Sequence, residues 1–126
     1  MSLRLHHVAL GARDVARVAE FYRDALGLPE VARHHAADGS LRAVWLDLGG
    51  ALLMVERTNQ PPRRVEGVGA GPFLLAVRVT PRERPAVESR LASRGAPVES
   101  RSVHSSYARD PEGNRVAISH HPEPAS

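Results

Sequence analysis

The feature of this sequence that most limits its fold is an internal repeat. Residues 7–28 read HVALGARDVARVAEFYRDALGL, and residues 74–96 read LLAVRVTPRERPAVESRLASRGA. Each stretch passes from a short apolar run through a turn into an amphipathic run, which ends at Gly27 in the first copy and at Gly95 in the second. A chain of 126 residues is too short for two separately stable cores. We therefore expect one domain made of two copies of the same strand–turn–helix plan.

Local signals predict where the helix of each copy begins and ends. Asp14 is a good N-cap for the first helix, and Gly27 is the expected left-handed stop. In the second copy the run T-P-R-E, from Thr80 to Glu83, has the form of a capping box. Pro85 follows just beyond that first turn. Either the first turn is irregular, or the regular helix begins near Pro85.

Runs of apolar and alternating residues predict three further strands in each copy. They cover residues 30–36, 41–48 and 51–56 in the first copy, and 98–103, a run ending at 107–109, and 115–120 in the second. The fold class is therefore α+β. The predicted organisation is module one (4–56), a linker rich in Pro and Gly (57–72), module two (73–120) and a tail (121–126).

Alternation along the strands separates their side chains into two faces, because successive residues of a strand point to opposite sides of the sheet. We expect the helices to cover an aliphatic face: Val8, Leu10, Val44, Leu46, Leu48, Leu53, Val55, Leu75, Val77, Val79, Val116 and Ile118. The opposite, mixed face holds His7, Ala9, Ala43, Trp45, Asp47, Leu52, Met54, Glu56, Leu74, Ala76, Arg78, Ala117 and Ser119. Such a face suits the wall of a cup that holds an organic ligand. It equally suits a partly wet sheet face that dimerisation buries.

The charge of the chain argues against a nucleic-acid partner. All 17 basic residues are arginine and the formal net charge is +3, so the high isoelectric point reflects the pKa of arginine more than a strong field. One Trp, two Tyr and two Phe offer few rings for stacking on bases. Cysteine is absent, and no run resembles a signal peptide or a membrane span. We expect a soluble cytoplasmic protein with no nucleic acid and no membrane as partner.

Two motifs at opposite ends of the chain resemble one known superfamily. The run HVAL from His7, followed by Asp14 and by FYRDALGL over residues 21–28, resembles the opening signature of the vicinal oxygen chelate superfamily. That superfamily includes glyoxalase I, bleomycin-resistance proteins and extradiol dioxygenases. YARDPEGN over residues 107–114 is similar to its final hairpin. The resemblance implies two tandem βαβββ modules that form a curved eight-stranded sheet around a cup, and frequently a homodimer.

The same resemblance locates the positions where metal enzymes of the superfamily hold their ion, on the cup face of the first and last strand of each module. In this chain those positions fall on His7, Met54, Leu74 and Ala117. Leu and Ala carry no donor atom, whereas divalent metals in such sites need three or four N or O ligands. We therefore expect no metal cofactor. The alternative is a Zn, Ni, Fe or Mn ion on His7 and on Glu56, two residues beyond Met54 on the same face.

The candidate site residues come from the mixed face. His7 and Glu56 are the candidate catalytic groups, because an imidazole and a desolvated carboxyl both transfer protons near neutral pH. The alternative for His7 is equally a strand histidine whose hydrogen bonds are satisfied. For Glu56 the alternative is simple exposure near Arg57, which is the more frequent case at a strand end. Candidate ligand-binding residues are Trp45, Met54, Leu74, Arg78, Tyr107 and Ala117. Trp45 and Tyr107 would stack on a planar ligand or belong to the core, and Arg78 on this face needs an acidic side chain or an anionic ligand.

Two pairs of adjacent histidines complete the list of ionisable candidates. His34–His35 and His120–His121 point to opposite faces within each pair, so neither pair chelates an ion through both rings. We expect all four to be exposed to solvent.

These observations support three functions. The first is a metal-free homodimer that binds a small organic ligand and acts by sequestration or sensing, with His7, Glu56 and Arg78 orienting the ligand. The second is a metal-dependent lyase, isomerase or dioxygenase of the same superfamily. The third is cofactor-free acid–base catalysis by His7 and Glu56.

Overall fold

A computed structural model describes residues 2–125 of the chain. The chain divides between Pro62 and Arg63 into two compact units, at a point inside the segment 57–72 that the sequence predicts as a linker. We call the part up to Pro62 unit one and the part from Arg63 unit two. Within the described residues, no helix is long and apolar enough to cross a membrane.

Unit one is a four-stranded sheet with one helix. Its elements are β1 (His7–Ala12), α1 (Val15–Asp24), β2 (Glu30–His35), β3 (Leu41–Asp47) and β4 (Leu52–Arg57). The strand order is β1-β4-β3-β2. β1 runs parallel to β4, and the other neighbours are antiparallel.

Unit two repeats this plan. Its elements are β5 (Leu75–Arg78), α2 (Arg84–Ser93), β6 (Ser100–Arg101), β7 (Ser105–Arg109) and β8 (Arg115–Ser119). The order β5-β8-β7-β6, with β5 parallel to β8, matches unit one strand for strand. The predicted α+β class and its two βαβββ modules are thus confirmed. The predicted closure of all eight strands around a cup concerns both units together and stays a prediction.

The helix ends follow the local signals with one shift. The carboxylate of Asp14 accepts the N–H of Arg17 at 3.1 Å, as an N-cap does, and Gly27 has the left-handed φ of 73°. Thr80 and Glu83 exchange the hydrogen bonds of a capping box, with N···O distances of 3.0 and 3.1 Å. The α-helix nevertheless begins only at Arg84, so regular helix starts near Pro85.

The core of unit one lies between α1 and the aliphatic face of the sheet. Val18 and Tyr22 of the helix have no exposed surface, and the same holds for Val44, Leu46, Leu53 and Val55 of β3 and β4. Val8 is an exception at 36% exposure, because β1 is the edge strand and α1 packs on β3 and β4. The predicted aliphatic face is therefore covered at the centre of the sheet and open at its β1 edge.

A partly buried arginine organises unit two. Arg84, at the start of α2, donates from Nε to the hydroxyl of Ser106 at 2.8 Å and from Nη1 and Nη2 to the carbonyls of Ser102, Val103 and Ser105 at 2.7–3.0 Å. The remaining N–H of Nη1 donates to Nε2 of a buried histidine. All five guanidinium N–H groups are therefore used, and the segment between β6 and β7 is tied to the helix.

That histidine is His120, which is buried at 1% exposure. The expectation that it faces solvent is wrong, whereas His121 is exposed as predicted. Arg84 can only donate, so Nε2 of His120 must accept its bond at 3.0 Å, and Nδ1 must carry the proton that it gives to the carbonyl of Glu123 at 2.7 Å. The sequence pattern did not reveal this role because both partners lie outside β8.

We expect Arg84→Lys to lower the free energy of unfolding by about 2–4 kcal/mol, because a lysine ammonium has three donors and cannot serve five acceptors. Chemical denaturation monitored by circular dichroism measures the change. Arg82→Lys, on an exposed arginine two residues earlier, is the matched control and should leave the midpoint unchanged. Equal effects of the two substitutions would contradict this account of Arg84.

Glu88 makes the stability of unit two depend on pH. Hydrogen bonds from Arg101, at 3.0 and 3.1 Å, lower the pKa of Glu88 below its ordinary 4.5, helped by Ser106 at 2.5 Å and opposed by burial. A carboxyl whose pKa is lower in the folded state stabilises the fold above its unfolded pKa, and that contribution is lost as the pH falls through the folded pKa. We expect the wild type to exceed Glu88→Gln in unfolding free energy at neutral pH, and the gap to close as the pH falls below 4.5. Denaturant titrations at several pH values test this, and a gap independent of pH would refute it.

Candidate functional site

Strand register in unit one brings the predicted mixed face together as three rows across the sheet. In the order β1, β4, β3 they are His7–Leu52–Asp47, Ala9–Met54–Trp45 and Gly11–Glu56–Ala43. β2 extends two of these rows, since Ala32 pairs with Trp45 and His34 pairs with Ala43. We call this surface the unit-one face.

Trp45 and Glu56 form a hydrogen-bonded pair on the unit-one face. The indole N–H of Trp45 donates to Oε2 of Glu56 at 3.2 Å. Oε1 of the same carboxylate lies 4.0 Å from Nη1 of Arg42. The Glu56 side chain is 39% exposed, and Trp45 is half-buried. The pair therefore presents an aromatic ring and a carboxylate side by side, with both accessible in part.

His34 adjoins this pair. Its ring centroid lies 4.3 Å from that of Trp45, with the planes tilted by 55°. Nε2 of His34 is buried and has no hydrogen-bond partner among the described residues. The expectation of full solvent exposure is therefore wrong for His34 and correct for His35, which is exposed.

Sequence patterns did not place His34 on the mixed face, and β2 carries no local signal that would have done so. Glu30–His35 has no aliphatic alternation that marks a buried side, so β2 could not be oriented by itself. Its register with β3 also shifts twice, between Glu30 and Ala32 and between His34 and His35. A regular hairpin that pairs His35 with Leu41 would set His34 opposite Arg42, and the shift between His34 and His35 sets it opposite Ala43 instead.

His7 lies at the other end of the same face. It pairs with Leu52, whereas Glu56 pairs with Gly11, so four residues, or about 13 Å of strand, separate the two rows. The structure does not bring His7 and Glu56 together. Nδ1 of His7 instead lies 2.8 Å from Nδ1 of His6, which requires one of these nitrogens to donate and the other to accept.

The predicted residues of unit two lie on one face of its sheet. Ala117 pairs with Ala76 on one side and with Tyr107 on the other. The guanidinium carbon of Arg115 lies 5.3 Å from the centroid of the Tyr107 ring, within cation–π range. Leu74 is 37% exposed and immediately precedes β5. Tyr107 and Leu74 therefore give unit two a small aromatic and apolar surface, whereas Ala117 is buried at 3% exposure.

Arg78 has an acidic partner within unit two. It pairs with Ser119 in the strand register, and its guanidinium forms an ion pair with Glu123 of the C-terminal segment. The Arg78 side chain is 72% exposed, so the ion pair is of the solvated kind that contributes little stability. The arginine therefore remains accessible to an anionic group.

The donor atoms do not fit the chelate that the superfamily resemblance implies. Among the described residues, no three side chains of His, Asp or Glu lie close enough together to hold a metal ion. The implied ligand positions hold one imidazole, at His7, together with the weak thioether of Met54 and the donor-free side chains of Leu74 and Ala117. Glu56, the nearest carboxylate to Met54 along β4, is held by Trp45.

The pairing of Trp45 with Glu56 predicts a spectroscopic signature, because the chain has a single tryptophan. We expect Glu56→Ala to move the one indole N–H proton resonance upfield, since the proton loses an ionised acceptor. Glu56→Gln, which keeps a neutral acceptor, should move it less. Proton–nitrogen correlation NMR measures both shifts. Glu20→Ala, on the exposed side of α1, serves as control, and an unmoved resonance in Glu56→Ala would count against the hydrogen bond.

Comparison with known proteins agrees with this architecture. A family model described as a glyoxalase-like domain matches residues 7–119. A search of curated proteins found no match.

Solved structures with the same fold include three bacterial proteins. A glyoxalase/dioxygenase from Nostoc punctiforme is 22% identical with a TM-score of 0.77, over 95% of this chain and 92% of that chain. FosX, a fosfomycin resistance protein from Listeria monocytogenes, is 15% identical with a TM-score of 0.76, over 95% and 93%. A lactoylglutathione lyase from Agrobacterium tumefaciens is 26% identical with a TM-score of 0.66, over 94% and 93%.

Proposed function

Because the chain belongs to the glyoxalase-like domain family, we propose that it binds a small organic ligand on its mixed sheet faces, without a metal, and acts by sequestration or sensing. The observation that carries this proposal is the pair formed by Trp45 and Glu56. A partly accessible indole and an adjacent carboxylate combine apolar contact area with a directed hydrogen-bonding group. Fold alone does not assign a function, so the proposal rests on these side chains.

The other predicted residues contribute different kinds of contact in this proposal. Leu52 and Met54 add apolar surface beside Trp45, and His7 adds a polar group at the far end of the unit-one face. On the separate face of unit two, Tyr107 offers an aromatic ring next to Ala117, Leu74 offers exposed apolar surface just before β5, and Arg78 offers a cation. Burial on such surfaces supplies affinity, and the few polar groups orient the ligand. Acid–base catalysis by His7 and Glu56 acting together is disfavoured by their separation of about 13 Å along the sheet.

The competing proposal is a metal-dependent lyase, isomerase or dioxygenase. Its support comes from the neighbours, since FosX has been crystallised in complex with Mn(II) and sulfate and another neighbour is a lactoylglutathione lyase. The donor set of this chain argues against it, because Leu74 and Ala117 cannot bind a cation and Met54 is a poor ligand for Zn, Ni, Fe or Mn. We derive no chemical step through a metal for this chain.

We also propose that the protein acts as a cytoplasmic homodimer. The first strand of each unit, β1 or β5, is an edge strand of its sheet, and Val8 and Leu74 beside these edges are 36% and 37% exposed. Edges of this kind favour pairing with another chain. A molar mass of one 13.7 kDa chain in size-exclusion chromatography with light scattering would argue against the dimer.

Metal content distinguishes the proposed metal-free binding protein from the competing metal-dependent enzyme. We expect protein purified without an affinity tag to contain no stoichiometric Zn, Ni, Fe or Mn by elemental analysis, and no thermal shift when these ions are added. His7→Ala should change neither result. A stoichiometric metal that is lost on His7→Ala would overturn the metal-free proposal.

Ligand binding is tested through the single tryptophan. We expect members of a library of planar organic compounds to change the fluorescence of Trp45, and Glu56→Gln to weaken their binding about tenfold by removing a charged hydrogen-bond acceptor. Glu20→Gln, an exposed substitution on α1, is the control. A library without any ligand for the folded protein would contradict the proposed function.

A further inference from the structure

His34 is the residue of the unit-one face whose hydrogen bonding is incomplete. Within residues 2–125, its Nε2 is the buried side-chain nitrogen or oxygen that lacks a hydrogen-bond partner. Buried polar groups in native proteins are bonded in the great majority of cases, so each exception calls for an explanation. His120 illustrates the rule in the same chain, because both of its ring nitrogens are bonded.

Packing against Trp45 does not explain why a histidine stands at this position. A phenylalanine ring would make the same contact with the indole, at 4.3 Å between centroids, and would leave no nitrogen buried without a partner. The imidazole therefore carries a desolvation cost that apolar packing does not require. A group that enters from outside the protein would remove that cost.

The surroundings of His34 indicate what kind of group this is. His34 and Glu56 both pair with Ala43, one from each side, so an imidazole and a carboxylate flank a small residue on the same face. The Glu56 carboxylate offers acceptor oxygens, and Nε2 of His34 offers an acceptor in the tautomer that carries its proton on Nδ1. Two acceptors beside one indole select a ligand that donates hydrogen bonds, and they disfavour a carboxylate or phosphate at this position.

We propose that His34 is a specificity-determining residue, whose Nε2 accepts a hydrogen bond from an N–H or O–H group of a planar ligand lying against Trp45. The inference rests on the proposed function, because it assigns the ligand class of the same face. No hydrogen bond to a described residue holds Nε2 in its position. Rotation of the ring about its Cβ–Cγ bond would therefore bring Nε2 to the ligand without breaking a hydrogen bond of that atom.

The experiment compares two amides on the full-length chain. Benzamide carries an amide group with two N–H donors, attached to a planar ring. N,N-dimethylbenzamide keeps the ring and the carbonyl but has no N–H donor. Binding is followed by the fluorescence and the indole N–H resonance of Trp45. The wild type should bind benzamide about fivefold to tenfold more tightly than the dimethyl compound, as one hydrogen bond to an otherwise unpaired group requires.

Variants at His34 then separate a ligand-binding role from packing. The His34→Phe variant should bind benzamide as weakly as the wild type binds the dimethyl compound. It should nevertheless unfold at the same or a higher denaturant concentration than the wild type, because the unpaired nitrogen is gone. His35→Phe, at the exposed neighbouring position, should keep the preference for benzamide. Should His34→Phe fail to fold, His34→Leu replaces it as the apolar variant.

Three outcomes would overturn the assignment of His34. They are an absence of preference in the wild type, an absence of binding by either amide, and unchanged benzamide affinity in a folded apolar variant. If other library compounds still act on Trp45 and depend on Glu56, the assignment of His34 alone is wrong. If no compound does so, the proposed function fails as well.

Discussion

The position of β4 determines what unit one can present to a ligand. β4 pairs with β1 on one side and β3 on the other, and its Leu53 and Val55 are fully buried on the side covered by α1. Alternation then places Leu52, Met54 and Glu56 on the opposite side. A slip by one residue would bury the Glu56 carboxylate under the helix at a large desolvation cost. Burial on one face thus fixes the chemistry of the other.

Three histidines of this chain occupy three different environments. His120 has 1% exposure and both nitrogens bonded, so it is part of the scaffold around Arg84. His34 has a buried nitrogen with no partner among the described residues and adjoins Trp45. His7 is exposed and contacts His6. Composition alone would treat these three imidazoles alike, and their different roles follow from their neighbours.

Membership of the glyoxalase-like family is separate from the choice of side chains at the ligand positions that the resemblance implies. The duplicated βαβββ plan depends on turns, caps and aliphatic alternation, none of which requires a metal ligand. Met54, Leu74 and Ala117 can therefore stand at the implied ligand positions while the strands that carry or adjoin them keep their pairing. The sheet provides the positions, and the side chains at those positions decide the chemistry.

Local interactions made much of the fold predictable. Asp14 and Gly27 mark the ends of α1 through short-range hydrogen bonding and backbone conformation, and the aliphatic alternation of β3 and β4 identifies the covered face. The mixed composition of the opposite face, including Trp45 and Glu56, follows from the same alternation. Each of these features depends on residues a few positions apart, so the sequence by itself determined them.

The tertiary structure decided which of those residues meet. The contact of Trp45 with Glu56 joins residues eleven positions apart, and the position of His34 depends on a β2–β3 register that shifts twice. The bond between Arg84 and His120 spans 36 positions. No local pattern encodes such pairings, because they arise only when strands and helices pack and each buried polar group must find, or fail to find, a partner.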